Sequence, residues 1–160
     1  MKNLTYVFII GLLISGLSIS NVSAQKLNYG NSVSILVPTG NFGDLYKGGF
    51  GVNANFEAKL SKIAIIGEFG YSMFTGNDLD GSALEDLTAW DLLAGIKLNL
   101  LGPLYIEGRT GYYFGDFDEF VLIPAVGARF KKFDLNVGYQ AAGDVNFMNF
   151  RVGYLWGGSD

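Results

Sequence analysis

The chain has 160 residues, of which 49% are hydrophobic, 15% aromatic and 16% charged, with no cysteine, no histidine and a net charge of −4. This length predicts one domain, the aromatic content excludes disorder, and the absence of cysteine excludes disulfides, thiolate zinc sites and lipidated cysteines. Without histidine the usual general base and the commonest metal ligand are missing, and a negative net charge does not fit nucleic acid.

The first element is an export signal. Lys2 supplies a positive start, residues 7–17 form an apolar run, and Val22-Ser23-Ala24 places small side chains at the −3 and −1 positions of a cleavage site. The run is short for a transmembrane helix and no basic stop-transfer cluster follows it. Cleavage after Ala24 is expected, leaving 25–160 as one domain. Loss of Lys2 leaves ten basic and fifteen acidic residues, a net charge of −5.

From there the chain alternates with period two, the signature of half-buried strands. Eight segments show it: 26–38, 49–60, 63–74, 88–100, 104–114, 120–131, 133–142 and 146–156. In the second, Phe50, Val52, Ala54, Phe56, Ala58 and Leu60 share one face, opposite Gly51, Asn53, Asn55, Glu57 and Lys59. Tight turns (Ser61-Lys62, Leu101-Gly102-Pro103, Lys132) alternate with connections at the other end, of which 39–48 and 75–87 are long and 115–119 and 143–145 moderate to short. An even number of antiparallel strands with short turns at one end is the layout of a membrane barrel. The expected fold is all-β, an eight-stranded antiparallel up-and-down transmembrane β-barrel. A sandwich also alternates, but leaves open edges. Pro124, in the middle of the sixth strand, lacks an N–H, which predicts a bulge or a bond lost to one neighbour.

The phase of the alternation assigns the faces. Eleven strand charges avoid the apolar face and are expected in the lumen: Glu57, Lys59, Glu68, Asp91, Lys97, Glu107, Arg109, Arg129, Lys131, Asp134 and Arg151. Five acids against six bases predict mutual pairing, because buried charges persist only when paired. The lumen is therefore expected to be plugged by salt bridges centred on Glu57, Glu107, Arg109 and Arg129. On the apolar face, Phe50, Tyr71, Trp90, Tyr112, Phe114, Phe120 and Tyr139 lie near the long-loop end, and Tyr29, Phe130, Phe133, Tyr154 and Trp156 near the other. Two aromatic rings around an aliphatic band match interfacial girdles. Gly70-Tyr71, Gly111-Tyr112, Gly138-Tyr139 and Gly153-Tyr154 repeat a lumenal glycine beside an outward tyrosine, a pattern suited to curvature.

Ser34-Ile35-Leu36-Val37-Pro38-Thr39-Gly40, closing the first strand, and Asn149-Phe150-Arg151-Val152-Gly153-Tyr154, in the last, resemble the small OmpA-like outer-membrane β-barrel (porin) family, especially the short forms of Bacteroidota. The resemblance covers the mature chain. It implies a Gram-negative cell envelope, insertion by the barrel assembly machinery, and contact with outer-membrane lipid and lipopolysaccharide. The chain departs from that pattern at its end, where Gly157-Gly158-Ser159-Asp160 follow Trp156 instead of a terminal aromatic.

The expected role is structural, or surface interaction through the outer loops, with no cofactor and no catalysis. The alternatives are a narrow porin-like channel for ions or small solutes, and a secreted soluble barrel that binds a hydrophobic ligand. The outer loops hold Asp44, Asp78, Asp80, Glu85, Asp86, Asp116, Asp118, Glu119 and Asp144 against Lys47 alone. No metal site is expected; Asp78 and Asp80 echo part of a calcium loop without its full spacing. These acids are expected to be a solvated acidic surface that aids solubility, with divalent ions bridging them to lipopolysaccharide phosphates as the alternative.

Overall fold

The structure is a computed structural model that describes residues 26–79 and 82–157; the export segment, its cleavage site and Asp80 lie outside them. Runs of alternating β-branched, aromatic and small polar residues form the strands. In chain order the elements are β1 (Lys26–Pro38), α1 (Asn41–Leu45), β2 (Tyr46–Leu60), β3 (Ile63–Gly76), β4 (Asp78–Leu79), β5 (Ser82–Ala83), β6 (Leu87–Asn99), β7 (Leu104–Gly115), β8 (Glu119–Phe130), β9 (Phe133–Ala142) and β10 (Val145–Gly157). The eight long strands close into a barrel in the order β1-β10-β9-β8-β7-β6-β3-β2, every pair antiparallel. Closure runs through β1, whose Val33 faces Val152 of β10 on one side and Val52 of β2 on the other.

The eight expected strands are all present, and two loops hold additional structure. The loop after β1 folds the short helix α1, and the loop after β3 folds the β4–β5 hairpin. β2 begins at Tyr46, ahead of the expected 49, with a register shift between Tyr46 and Gly48. The tight turns use positive φ at Ser61 (59°), Gly102 (60°) and Lys131 (55°). Lys131 is therefore a turn residue at the tip of the β8–β9 hairpin, outside the strand that was expected to carry it.

Pro124 faces outward. It is register-paired with Gly108 of β7, while the β8–β9 ladder skips from Leu122↔Ala141 to Ala125↔Gly138 without changing register. The missing N–H thus costs pairing to one neighbour and produces no bulge at this ladder.

Alternation decides inside from outside. Val33, Ile35, Leu92, Ile96 and Val126 stand on the outer face with about half or more of their surface exposed, while Glu57, Glu68, Asp91, Lys97, Glu107 and Arg109 are buried inside. An apolar outer wall around a charged interior reverses the arrangement of a soluble barrel and leaves an apolar surface far larger than a water-soluble monomer exposes.

The aromatic rings lie where the phase puts them. At the short-turn end Tyr29 packs against Trp156, and Tyr154 bridges Trp156 and Phe133, with ring centroids 5.3–6.2 Å apart; Phe130 pairs with Phe133 across the hairpin. At the long-loop end Tyr71 and Phe69 pack on Trp90, Trp90 is register-paired with Phe114, and Tyr112 with Phe120. Phe50 and Tyr139 are exposed at the same end. Of the tyrosines beside lumenal glycines, Tyr112 and Tyr139 are exposed and Tyr71 and Tyr154 are half-buried against their tryptophans.

Candidate functional site

The lumen is filled in two tiers. The tier toward the short turns is ionic. Lys97 of β6 reaches three carboxylates: Glu57 of β2 at 3.2 Å, Asp134 of β9 at 3.2 Å and Glu107 of β7 at 3.5 Å. Arg129 of β8 donates to Glu57 at 2.6 Å and to Asp134 at 2.7 Å. Tyr105 donates its hydroxyl to Asp134, and its ring lies 4.0 Å under the Lys97 ammonium. The ring fills space that a side chain at Gly127 would need, which fixes glycine there.

One step toward the loops, Arg109 of β7 donates to Glu68 of β3 at 2.7 Å and lies 3.1 Å from Glu107. Arg151 of β10 donates to Glu68 and, at 2.9 Å, to Glu107. Asn53 and Asn136 add amide donors to Glu68 and Glu107. Each of the four basic groups lies within ion-pair distance of at least two carboxylates, as charges kept away from water require. The cavity left among these side chains is about 30 Å³, room for roughly two waters.

Nine of the eleven expected lumenal charges are inside. Lys59 and Lys131 are not in the network: both are exposed at the short-turn end, Lys59 as the penultimate residue of β2 and Lys131 in the β8–β9 turn. Asp91 is fully buried, yet both its carboxylate oxygens lack a hydrogen-bond partner among the described residues. Of the expected centre, Glu57, Glu107, Arg109 and Arg129 all take part. The group that joins them is Lys97, which alone reaches Glu57, Glu107 and Asp134.

The second tier, toward the loops, is apolar and was not expected. Leu36, Phe74, Ala89, Leu93, Tyr113, Val121, Ile123 and Phe147 are buried inside the barrel, and Phe42 of α1 closes over them. Phe74 meets Phe147 edge-on at 4.9 Å and Phe42 meets Phe74 edge-on at 5.1 Å, geometries that aromatic pairs favour. Gln140 donates to the Tyr113 hydroxyl at the lower edge of this plug. The sequence did hold a signal for it. Leu36 continues the face of Ser32 and Ser34, Phe74 that of Glu68 and Ser72, and Phe147 that of Arg151. Carrying the charged parity to the loop end of each strand turns these residues inward.

The long-loop end is structured and acidic. Asp44, Asp78, Glu85, Asp86, Asp116, Asp118 and Asp144 are exposed there and Glu119 is half-buried. Lys47 pairs with Asp78 at 2.8 Å. Asp116, in the β7–β8 turn, accepts from the Thr88 amide at 2.7 Å and from its hydroxyl at 2.9 Å. Those bonds favour the carboxylate and hold Asp116 below its ordinary value of 3.8. Among the described residues no cluster of three or more acids has the geometry to hold a metal ion.

No protein-family model matches the chain and no curated protein matches it. Solved structures do. A de novo designed transmembrane β-barrel superposes with a TM-score of 0.54 at 11% identity, covering 86% of this chain and 100% of the design. The Yersinia pestis outer-membrane protein Ail in a phospholipid bilayer nanodisc gives 0.50 at 18% identity, covering 79% of this chain and 99% of Ail. Ail in complex with the heparin analogue sucrose octasulfate gives 0.50 at 16% identity, covering 82% and 97%. The fold is that of an eight-stranded transmembrane β-barrel.

Proposed function

We propose that this protein is an integral outer-membrane barrel with a non-conducting lumen, whose function is structural or is exercised by its acidic outer loops. The observation that carries this reading is the doubly filled lumen. The ionic tier braces β2, β3, β6, β7, β8, β9 and β10 against one another, and the aromatic tier blocks the same bore above it. A selective pore instead carries rings of one charge sign along an open path. The small OmpA-like family remains the natural home for the chain, on its strand pattern and the motifs 34–40 and 149–154.

The outer end supports the surface role. α1 packs over the barrel mouth through Phe42, the loop after β3 folds the β4–β5 hairpin, and the acids at this end outnumber its single lysine. Such a face takes cationic partners, or lipopolysaccharide phosphates through bridging divalent cations.

The test is a planar-bilayer recording of the refolded barrel, after a gel shift between unboiled and boiled samples has established closure. Absence of channel events is expected. Steady ion conductance would overturn the plugged reading in favour of a narrow channel, and a soluble chain without a gel shift would overturn the membrane assignment.

A further inference from the structure

Phe42 fills a place in the outer mouth as a ligand would. It is the one buried residue of α1, and its ring meets those of Tyr46, Phe74 and Phe147 at centroid distances of 4.7, 5.1 and 6.4 Å. The helix that carries it is short. α1 has five residues and no side-chain cap at its start, and a helix of that length does not hold itself together in water. It is entered through Gly40 at a φ of 59°. It leads into the part of β2 where the ladder shifts register, between Tyr46 and Gly48. Its far end is fastened by Asn77, which donates to the carbonyls of Asp44 and Leu45.

The wall and the rim of this mouth differ in kind. Leu87, Phe117 and Val145 pack against the buried cluster that Phe42 closes. Each has an exposed aspartate beside it: Asp86 precedes Leu87, Asp116 and Asp118 flank Phe117, and Asp144 precedes Val145. Asp44 lies two residues beyond Phe42 and is exposed as well. Where a loop turns an apolar side chain into the mouth, a neighbour turns a carboxylate toward water. These acids come from all four connections at this end of the barrel, so they encircle an apolar opening. The lysine at this end, Lys47, is paired with Asp78 instead. An aromatic pocket under a rim of one charge sign selects a ligand with an apolar body and a cationic head.

We propose that the outer mouth binds a small cationic amphiphile, an arylalkylammonium whose ring takes the place of Phe42 and whose ammonium lies among the rim carboxylates. Phe42 is then an internal competitor. The ligand enters when α1 swings outward on Gly40, and the apparent affinity falls in proportion to the fraction of barrels in which it has done so. The acids raise the local concentration of cations before entry. This site rests on the acidic-loop reading above and gives it a ligand class. It leaves the ionic tier, and so the closed bore, untouched.

Titration calorimetry with 2-phenylethylammonium tests it, on the barrel in phosphatidylcholine nanodiscs with empty nanodiscs as the blank. Binding to the unmodified protein is expected. Phe42→Ala should bind about tenfold or more tightly, since a minor open state is populated at roughly 10% or less. The combined substitutions Asp44→Asn, Asp118→Asn and Asp144→Asn should weaken binding about three- to tenfold. Phenylacetate, with the same ring and the opposite charge, should not bind. In the unmodified protein, saturating 2-phenylethylammonium should also speed hydrogen exchange at the Gly43 amide, which donates to the Gly40 carbonyl at 2.9 Å across the start of α1. Equal affinity in the unmodified protein and Phe42→Ala, or a Gly43 amide that the ligand leaves unchanged, overturns the exchange of rings. Equal binding of phenylacetate overturns the role of the rim. The boiling-dependent gel shift is read on the same samples. Its absence would overturn the barrel reading itself; its presence without binding would overturn only this site.

Discussion

Arg129 and Glu57 meet across the full width of the barrel, Nη2 to Oε2 at 2.6 Å, though 72 residues separate them in sequence. Their strands, β8 and β2, are four steps apart in a ring of eight. Arg151–Glu68 and Lys97–Asp134 likewise join strands three steps apart. Ladder hydrogen bonds connect only neighbours, so these ion pairs are what hold opposite walls of the bore at a fixed distance.

Arg151→Leu removes a guanidinium shared by Glu68 and Glu107, both buried. It leaves two carboxylates with less compensation inside the barrel. A loss of about 3–5 kcal/mol is expected, the range for breaking a buried pair from one side. Urea titration of the refolded barrel in micelles measures it. A change within 0.5 kcal/mol, the ordinary scatter for surface substitutions, would remove the bracing role.

Asp91→Asn should behave in the opposite way. The bore holds five acids and four bases among the described residues, and Asp91 is the acid without an ion pair. It is register-paired with Gly70 and Tyr113, on the face shared with Glu68. A neutral amide of the same shape removes the unmatched charge, so the urea midpoint should stay or rise, by up to about 1–2 kcal/mol. Marked destabilisation would show that the carboxylate has a function of its own.

Phe147→Ala opens the upper tier, where Phe147 touches Phe42, Phe74 and Tyr113. A cost of about 3–5 kcal/mol is expected for a buried phenylalanine. The variant should nevertheless remain silent in planar bilayers, because the ionic tier lies beneath the cavity. Conductance from this single change would make the aromatic tier the only barrier.

Asp116 gives the loop end a pH dependence. Its two bonds from Thr88 fasten the β7–β8 turn to the start of β6 and lower its proton affinity from the ordinary 3.8. The contribution is therefore present above that value and is lost as pH falls through the lower folded one. Protection of the Thr88 amide from hydrogen exchange, corrected for the intrinsic rate, should fall over that acidic interval. Asp116→Asn should lose the pH dependence; an unchanged profile in the variant would assign it to another group.

The sequence by itself determined the strands, their number, their faces and the alternation of short and long connections. Each of these is local: period two follows from the pleat, and a one-residue slip would turn every charge outward. Parity therefore placed Glu57, Glu68, Asp91, Lys97, Glu107, Arg109, Arg129, Asp134 and Arg151 inside, and twelve aromatics on the outer face. Parity carries no information about height along the bore or about which walls face each other. Those depend on how the closed sheet sets its register, so only the tertiary structure decided that Lys97 joins three acids and that Asp91 has no ion pair. The same limit explains Lys59 and Lys131, whose side chains lie at the rim, where water or headgroups solvate them more cheaply than the bore can. It also explains the aromatic plug: Leu36, Phe74 and Phe147 come from β1, β3 and β10, and they become one cluster only when closure brings those strands around a bore too narrow to stay empty.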